Sequence, residues 1–305
     1  MPGTPLARAE HFVWQTARVL EQRRFTFHFL DGSDAAAEAV ETALNAYRND
    51  DGGFGHALEP DLRGPVSQPL PTAHALRVLD GIGRCGGQRA ERVCRYLTEV
   101  STAEGALPAV HPSLRGYPAA PWIQVVEAPK GSLLATGPVV GTLHDNGVWH
   151  AWLFRATDFC WAAIEALDAT HPYEVEAAVA FLDAVPDRAR ARDAAHRLGK
   201  LVREQQLVVV LDPDRADRYP LPAGYAPGEY HFAYDYARGP DSLARQWFTD
   251  AELERSLDFL TAEQGEDGGW PMRWRAWAPG TRLEWRPIIT IEALRTLRAY
   301  GRPII

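Results

Sequence analysis

Lysine is almost missing from this chain. It stands only at Lys130 and Lys200, so nearly all positive charge is arginine, a compositional bias with no functional reading of its own. Positive charge is not in surplus either. The net charge of −8 and the pI near 5.7 argue against nucleic acid or an anionic membrane as the main partner. Cysteine is scarce. Cys85, Cys94 and Cys160 are odd in number and far apart, which excludes a disulfide framework and a cysteine-rich zinc site, leaving them as buried small hydrophobes. No run of 18 apolar residues occurs, and the start MPGTPLARAE has no apolar leader core. The expectation is a cytoplasmic protein without stable membrane insertion. Period-two alternation is missing too, with LVVVL at 207–211 the sole strand candidate.

What remains is helix. With 305 residues, 46% of them hydrophobic, the chain has enough apolar mass for a sizeable core. Apolar periodicity and stop signals predict helices over 7–29, 33–48, 71–84, 88–102, 137–146, 152–169, 173–185, 188–206, 250–264 and 288–301, with a short one near 241–248.

The helix ends repeat. In ALNAYRNDDGGF, YLTEVSTAEGAL and FLTAEQGEDGGW, the last strongly apolar residues are Leu44, Leu97 and Leu260. A glycine follows eight residues later in each, at Gly52, Gly105 and Gly268, preceded by Asp51, Glu104 and Asp267. Two copies lead to matching helices, ALRVLDGIGR from Ala75 and ALRTLRAYGR from Ala293. A degenerate copy ends in LVREQQLVV at Leu201–Val209, without its glycine. The unit is helix, glycine turn, long loop, helix. The predicted architecture is all-α: a single α/α toroid over 1–305, a ring of five to six helical hairpins. Its repeats end near 54, 107, 209 and 270, and its long loops gather at one mouth.

Phe259-Leu260, Gln264, Gly268 and Trp270 have the spacing of the QW motif, and over about 33–302 the chain resembles the squalene cyclase and protein prenyltransferase repeat superfamily. The starts Thr72-Ala73-His74-Ala75-Leu76 and Thr290-Ile291-Glu292-Ala293-Leu294 are similar to inner-helix starts of its cyclases. The resemblance implies that Gln264 ties down a neighbouring helix end and that Trp270 packs between repeats.

A site is expected among the long loops, about 54–70, 107–136, 209–240 and 270–287, because loops of this length are functional when ordered. They are rich in aromatics, including Trp122, Tyr219, Tyr225, Tyr230, Tyr234, Trp274, Trp277 and Trp285. Such rings either pack loops onto the barrel or line a pocket whose faces stabilise cations. Free N–H groups at inner-helix starts favour an anionic group there. Two acidic clusters stand out: GHALEPDLRGP with His56, Glu59, Asp61 and Arg63, and LDPDRADRY with Asp212, Asp214 and Asp217. In a water-poor cavity a grouped carboxyl is a proton donor; on the surface both stretches are solvated turns. His144, Asp145 and His150 are read as capping or packing residues, and Asp50-Asp51 as turn chemistry.

The chain departs from the family at its chemical centre. The D-x-D-D-T-A acids of class II terpene cyclases are replaced by Gln68, Pro69, Leu70 and Pro71 before Thr72-Ala73. Before Thr290 stand Arg286, Pro287, Ile288 and Ile289. The zinc-holding D-x-C and the magnesium-binding D-D-x-x-D are absent, so no metal and no cofactor are expected. The expectation is an enzyme acting on an isoprenoid or other apolar small molecule, with or without an anionic group, by acid-initiated cyclisation or isomerisation. Glu59, Asp61, Asp212 and Asp214 are the candidate acids, with His56, Arg63, His74, Trp274 and Trp285 binding substrate. Two alternatives stay open: a non-catalytic toroid binding a lipid or partner, and a carbohydrate-active α/α barrel with paired carboxylates.

Overall fold

The computed structural model describes residues 3–305. Its α-helices are α1 (Pro5–Thr16), α2 (Val19–Phe25), α3 (Asp34–Asn45), α4 (Pro69–Gly81), α5 (Gly87–Val100), α6 (Leu133–Asp145), α7 (Ala151–Glu165), α8 (Pro172–Ala184), α9 (Arg188–Glu204), α10 (Ala233–Tyr236), α11 (Asp250–Ala262) and α12 (Thr281–Ala299). Among the described residues there is no strand. The stretch 207–211 contributes one isolated parallel bridge, Val209 to Phe232. The fold is all-α, as the periodicity predicts. No helix among the described residues is long and apolar enough to cross a membrane.

The chain divides into two compact units. One comprises the chain through Val40, Ala169–Pro172 and His196–Ile305; the other comprises Glu41–Asp168 and Tyr173–Ala195. In the first, α12 packs on α1, α2 and α11, burying Phe12, Leu20, Phe25, Leu257, Ile291 and Leu294. In the second, α4 and α7 pack on α6, and α5 packs on α4 and α7, over Leu76, Leu97, Val140, Leu143 and Trp152. The three cysteines are buried and unpaired, as small hydrophobes. Burial pushes the thiols of Cys85 and Cys94 up to about 12.

The three glycine turns are the same object built three times. In each, a backbone N–H bonds the carbonyl four residues ahead: Asn49 to Gly53 at 3.0 Å, Thr102 to Ala106 at 2.8 Å, and Gly265 to Gly269 at 2.9 Å. The glycines at the fourth position have φ of 90°, 84° and 91°, where L-residues are disfavoured. Each also presses on a neighbouring helix: a Cβ on Gly52 would meet the Arg92 carbonyl, on Gly105 the Arg155 side chain, and on Gly268 the Arg8 carbonyl. The acid before the glycine closes two of the turns, Asp51 accepting from Gly53 N–H at 2.8 Å and Asp267 from Gly269 N–H at 3.1 Å. Asp50-Asp51 is thus turn chemistry. The degenerate fourth copy places Gln206 at φ 54°, a left-handed residue in spite of the lost glycine.

Each turn is then hooked to a following helix, α4, α6 or α12. The N–H groups of Phe54, Leu107 and Trp270 donate to the hydroxyls of Thr72, Thr136 and Thr290 at 3.1, 2.8 and 3.0 Å. All three threonines are fully buried. At the third copy, the Gln264 amide donates to the carbonyls of Pro5 and Gly268, each at 2.8 Å, and accepts from Arg8 at 2.7 Å. The Trp270 indole donates to the Leu260 carbonyl at 2.7 Å and is 1% exposed.

Three helix boundaries differ from the sequence reading. The stretch 7–29 is two helices and a π-helical turn (Thr26–Leu30), broken at extended Ala17 and Arg18. Arg18 folds back to hold the buried Glu21 with two bonds of 2.9 Å, and apolar phase alone is blind to so short a break. α6 and α12 begin a turn or more before their expected starts and carry Pro138 and Pro287 inside. A proline deprives only the carbonyl four residues back. Here that is the carbonyl of Leu134 or Leu283, both exposed residues.

Candidate active site

The loop after the first glycine turn carries the chain's densest local strain. His56 and Ala57 are consecutive non-glycine residues at φ 54° and 59°, each costing on the order of 1–3 kcal/mol. Asn49 holds this shape. Its amide donates to the Pro65 carbonyl at 3.0 Å and to the Ser67 hydroxyl at 2.9 Å, while its oxygen meets the His56 ring at 2.9 Å. His56 itself is exposed.

The loop is thereby turned inward at its acids. Glu59 and Asp61 are each 8% exposed. Glu59 Oε2 lies 3.2 Å from Nδ1 of His74, which is 2% exposed on the second turn of α4. The strand-like partner of the loop is 118–120: Arg63 N–H bonds the Pro118 carbonyl and Ala120 N–H the Asp61 carbonyl, both at 2.9 Å. Arg63 is half-buried. Leu62, Val110 and Leu114 form an apolar cluster beside the acids, with Leu70 and Ile123 against it. A buried carboxyl facing an imidazole can pass a single proton between oxygen and nitrogen, which is the equipment of a general acid or base. His56, Glu59, Asp61, Arg63 and His74 thus share one unit and one loop–helix neighbourhood.

The residue four before Thr72 has a structural role. Gln68 is 1% exposed; its amide donates to the Ser113 hydroxyl at 2.9 Å and its oxygen accepts from His111 N–H at 2.7 Å.

The remaining expected residues belong to the other unit. Trp274 and Trp285 meet edge to face, ring centroids 5.1 Å apart. Asp214 is exposed, and Asp212 is half-exposed beside Arg215 at 3.4 Å. The water-poor setting expected for this pair is not found, because the turn Pro213–Arg218 is solvated and pairs within itself. Near it is a hollow of about 10 Å³, lined by Val209, Tyr219, Pro220, Tyr230 and His231 among others, the room of a single water rather than of a substrate.

Several loop aromatics already hold a cation. The Arg273 guanidinium sits 4.6 Å over the Phe232 ring and 5.7 Å over Tyr234, is bonded by the Tyr234 phenol, and pairs with Glu263 at 3.3 Å. These rings pack a loop. His150 caps α7 by accepting from Trp152 N–H at 3.2 Å, and His144 bonds the Thr157 hydroxyl at 2.8 Å. Both have the capping and packing roles read from sequence.

No protein-family profile matches the chain, and no curated protein matches it. Solved structures do. A protein from Actinoplanes superposes with a TM-score of 0.59 at 16% identity, covering 97% of this chain and 98% of that one. The type II terpene cyclase MstE from Scytonema superposes at 0.56 in two complexes. One holds its substrate geranylgeranyl dihydroxybenzoate, at 12% identity with 97% of both chains covered. The other holds its product merosterolic acid A, at 11% identity with 97% and 96% covered. The fold is terpenoid cyclase-like. At such identities the likeness concerns the backbone, and the site residues rest on the chain's own geometry.

Proposed function

We propose that this chain binds an isoprenoid or other apolar small molecule within an α/α toroid and starts its cyclisation or isomerisation by protonation, Glu59 being the donor and His74 the residue that positions it. The observation carrying this reading is the buried Glu59–His74 pair at 3.2 Å in a chain with a terpenoid cyclase-like fold. The Glu59 carboxyl would give its proton to an alkene carbon, leaving a carbocation and a carboxylate. Loss of a proton from the rearranged cation returns it to the base, so no cofactor enters the balance. Asp61 is the second acid of this site. Asp214, exposed, and Asp212, half-exposed, are not assigned to it, and Trp274 and Trp285 remain proposed as substrate-binding rings of their own unit.

A panel of polyprenes and prenyl diphosphates, incubated with the protein and analysed by mass spectrometry, tests this. Glu59→Gln keeps the shape and removes the acid, so turnover should vanish while the melting temperature holds. A turnover unaffected by Glu59→Gln would overturn the assignment. The second reading, a binding protein without catalysis, is favoured by the structural employment of Gln68. It gains if a panel member binds to the wild type and leaves unchanged.

A further inference from the structure

Arg24 lies in the last turn of α2, 3% exposed, and is poorly served for a buried guanidinium. Its Nη2 donates to Glu292 Oε1 at 2.7 Å, but Nε and Nη1 are buried and bond nothing. Uncompensated donors of a buried charge are costly. The same carboxylate also serves Arg295, whose Nη1 lies 3.2 Å from Glu292 Oε2. Arg298, one turn further along α12, donates to the His28 carbonyl and covers the Phe29 ring at 4.9 Å. Two guanidiniums therefore share the Glu292 carboxylate, and the third stands one turn along α12 at the His28 carbonyl, on a chain whose net charge is −8.

The crowding registers on its neighbours. Burial, then Arg295 and Arg24, and lastly Arg298 hold the His28 ring down to about 3, against the opposing pull of Glu292. Burial and Arg295 also lower Arg298. His28 thus stays neutral and adds no charge. It is carried on the π-helical turn Thr26–Leu30, closed by Asp31 N–H on the Thr26 carbonyl at 2.8 Å, a distortion frequent at functional sites. Glu292 and Arg295, with side chains 35% and 34% exposed, make the accessible rim.

We propose that Arg24, Arg295 and Arg298 form a binding site for a phosphate group, carried by free phosphate or by a phosphorylated small molecule. The shared carboxylate leaves positive charge to be offset, and a tetrahedral oxyanion suits it, since its several oxygens reach more than one donor and charge-assisted bonds are the strong ones. Arg295 lies ten residues beyond Trp285, about 15 Å along α12 by helical rise, so the site is separate from the Trp274–Trp285 pair and independent of the proposed chemistry at Glu59.

The test is calorimetric titration with inorganic phosphate and with a short prenyl monophosphate, sodium chloride keeping the ionic strength constant. Both should bind the wild type, raise its melting temperature by mass action, and move the His28 ring resonances in NMR spectra. Arg295→Gln and Arg298→Gln, at partly exposed positions, should keep the fold and weaken binding by about tenfold, the worth of a lost charge-assisted bond. Arg24→Gln is the more direct change, but it alters a buried position, so the rim variants decide. Equal affinities assign the site to free phosphate; a tighter prenyl ester assigns it to a phosphorylated isoprenoid. Absence of binding above the chloride control, or binding undiminished in both rim variants, overturns the proposal.

Discussion

Thr72, Thr136 and Thr290 carry the register between each glycine turn and the helix that follows it, and each does so with one hydroxyl. Thr136 accepts from Leu107 N–H and donates to the Ser132 carbonyl, both at 2.8 Å, in a fully buried position. Valine has the same shape and neither capacity. Thr136→Val should therefore leave a buried amide unpaired and lower stability by about 1–3 kcal/mol. Urea denaturation with an unchanged slope would report it, and an unchanged midpoint would mean that the hook carries no energy. Thr72 and Thr290 could be read from sequence because both open a recognisable helix start. Thr136 could not, since Pro138 looks like a first-turn proline and places the start of α6 after it. The Glu59–His74 pair was half-legible in the same way. Both residues fall in suggestive motifs, but only the left-handed backbone at His56 and Ala57 turns the acid toward α4. Arg24 and Glu292 stand 268 positions apart, and no local pattern in either segment announces their meeting.

At the level of elements, close approach rather than hydrophobic phase sets the packing of α6. Gly137 and Gly141 form a flat strip. A Cβ on Gly137 would come within 2.6 Å of the Ala177 carbonyl oxygen, and one on Gly141 would strike that of Ala180. The obstacles are backbone atoms of α8, which cannot rotate away, so the helices must part to admit a methyl group. Overpacking of this kind costs about 1–3 kcal/mol, more than alanine's better helix propensity returns. Gly141→Ala is expected to lower the melting temperature, whereas Gly147→Ala, whose Cβ meets nothing within 4 Å, suffers only its positive φ of 62°. Equal losses at the two positions would show that backbone conformation, not helix approach, is the cause. The sequence predicts roughly where α6 and α8 run, because both are apolar stretches bounded by stop signals. It leaves their spacing open, since a glycine in a helix is read as a weak point until the facing backbone is known.

On the scale of the whole molecule, the repeat and the two compact units pull in different directions. Four copies of one motif would favour piecewise unfolding, each repeat leaning only on its neighbours. The division of the chain works against this. Its boundaries after Val40 and after Ala195 fall inside α3 and α9, so each of these helices belongs to both units. An α-helix forms cooperatively and is marginal when short. Melting either unit would therefore leave truncated helix ends in the other, about one to three turns each. The chain should unfold in one transition. Trp270 and Trp152, each 1% exposed and one in each unit, are the natural reporters. Labelled with 5-fluorotryptophan and assigned by Trp→Phe replacement, their fluorine resonances should lose native intensity at the same urea concentration. Separate midpoints would show that α3 and α9 break at the boundary without cost, and that the two units are independent folding bodies sharing a repeat.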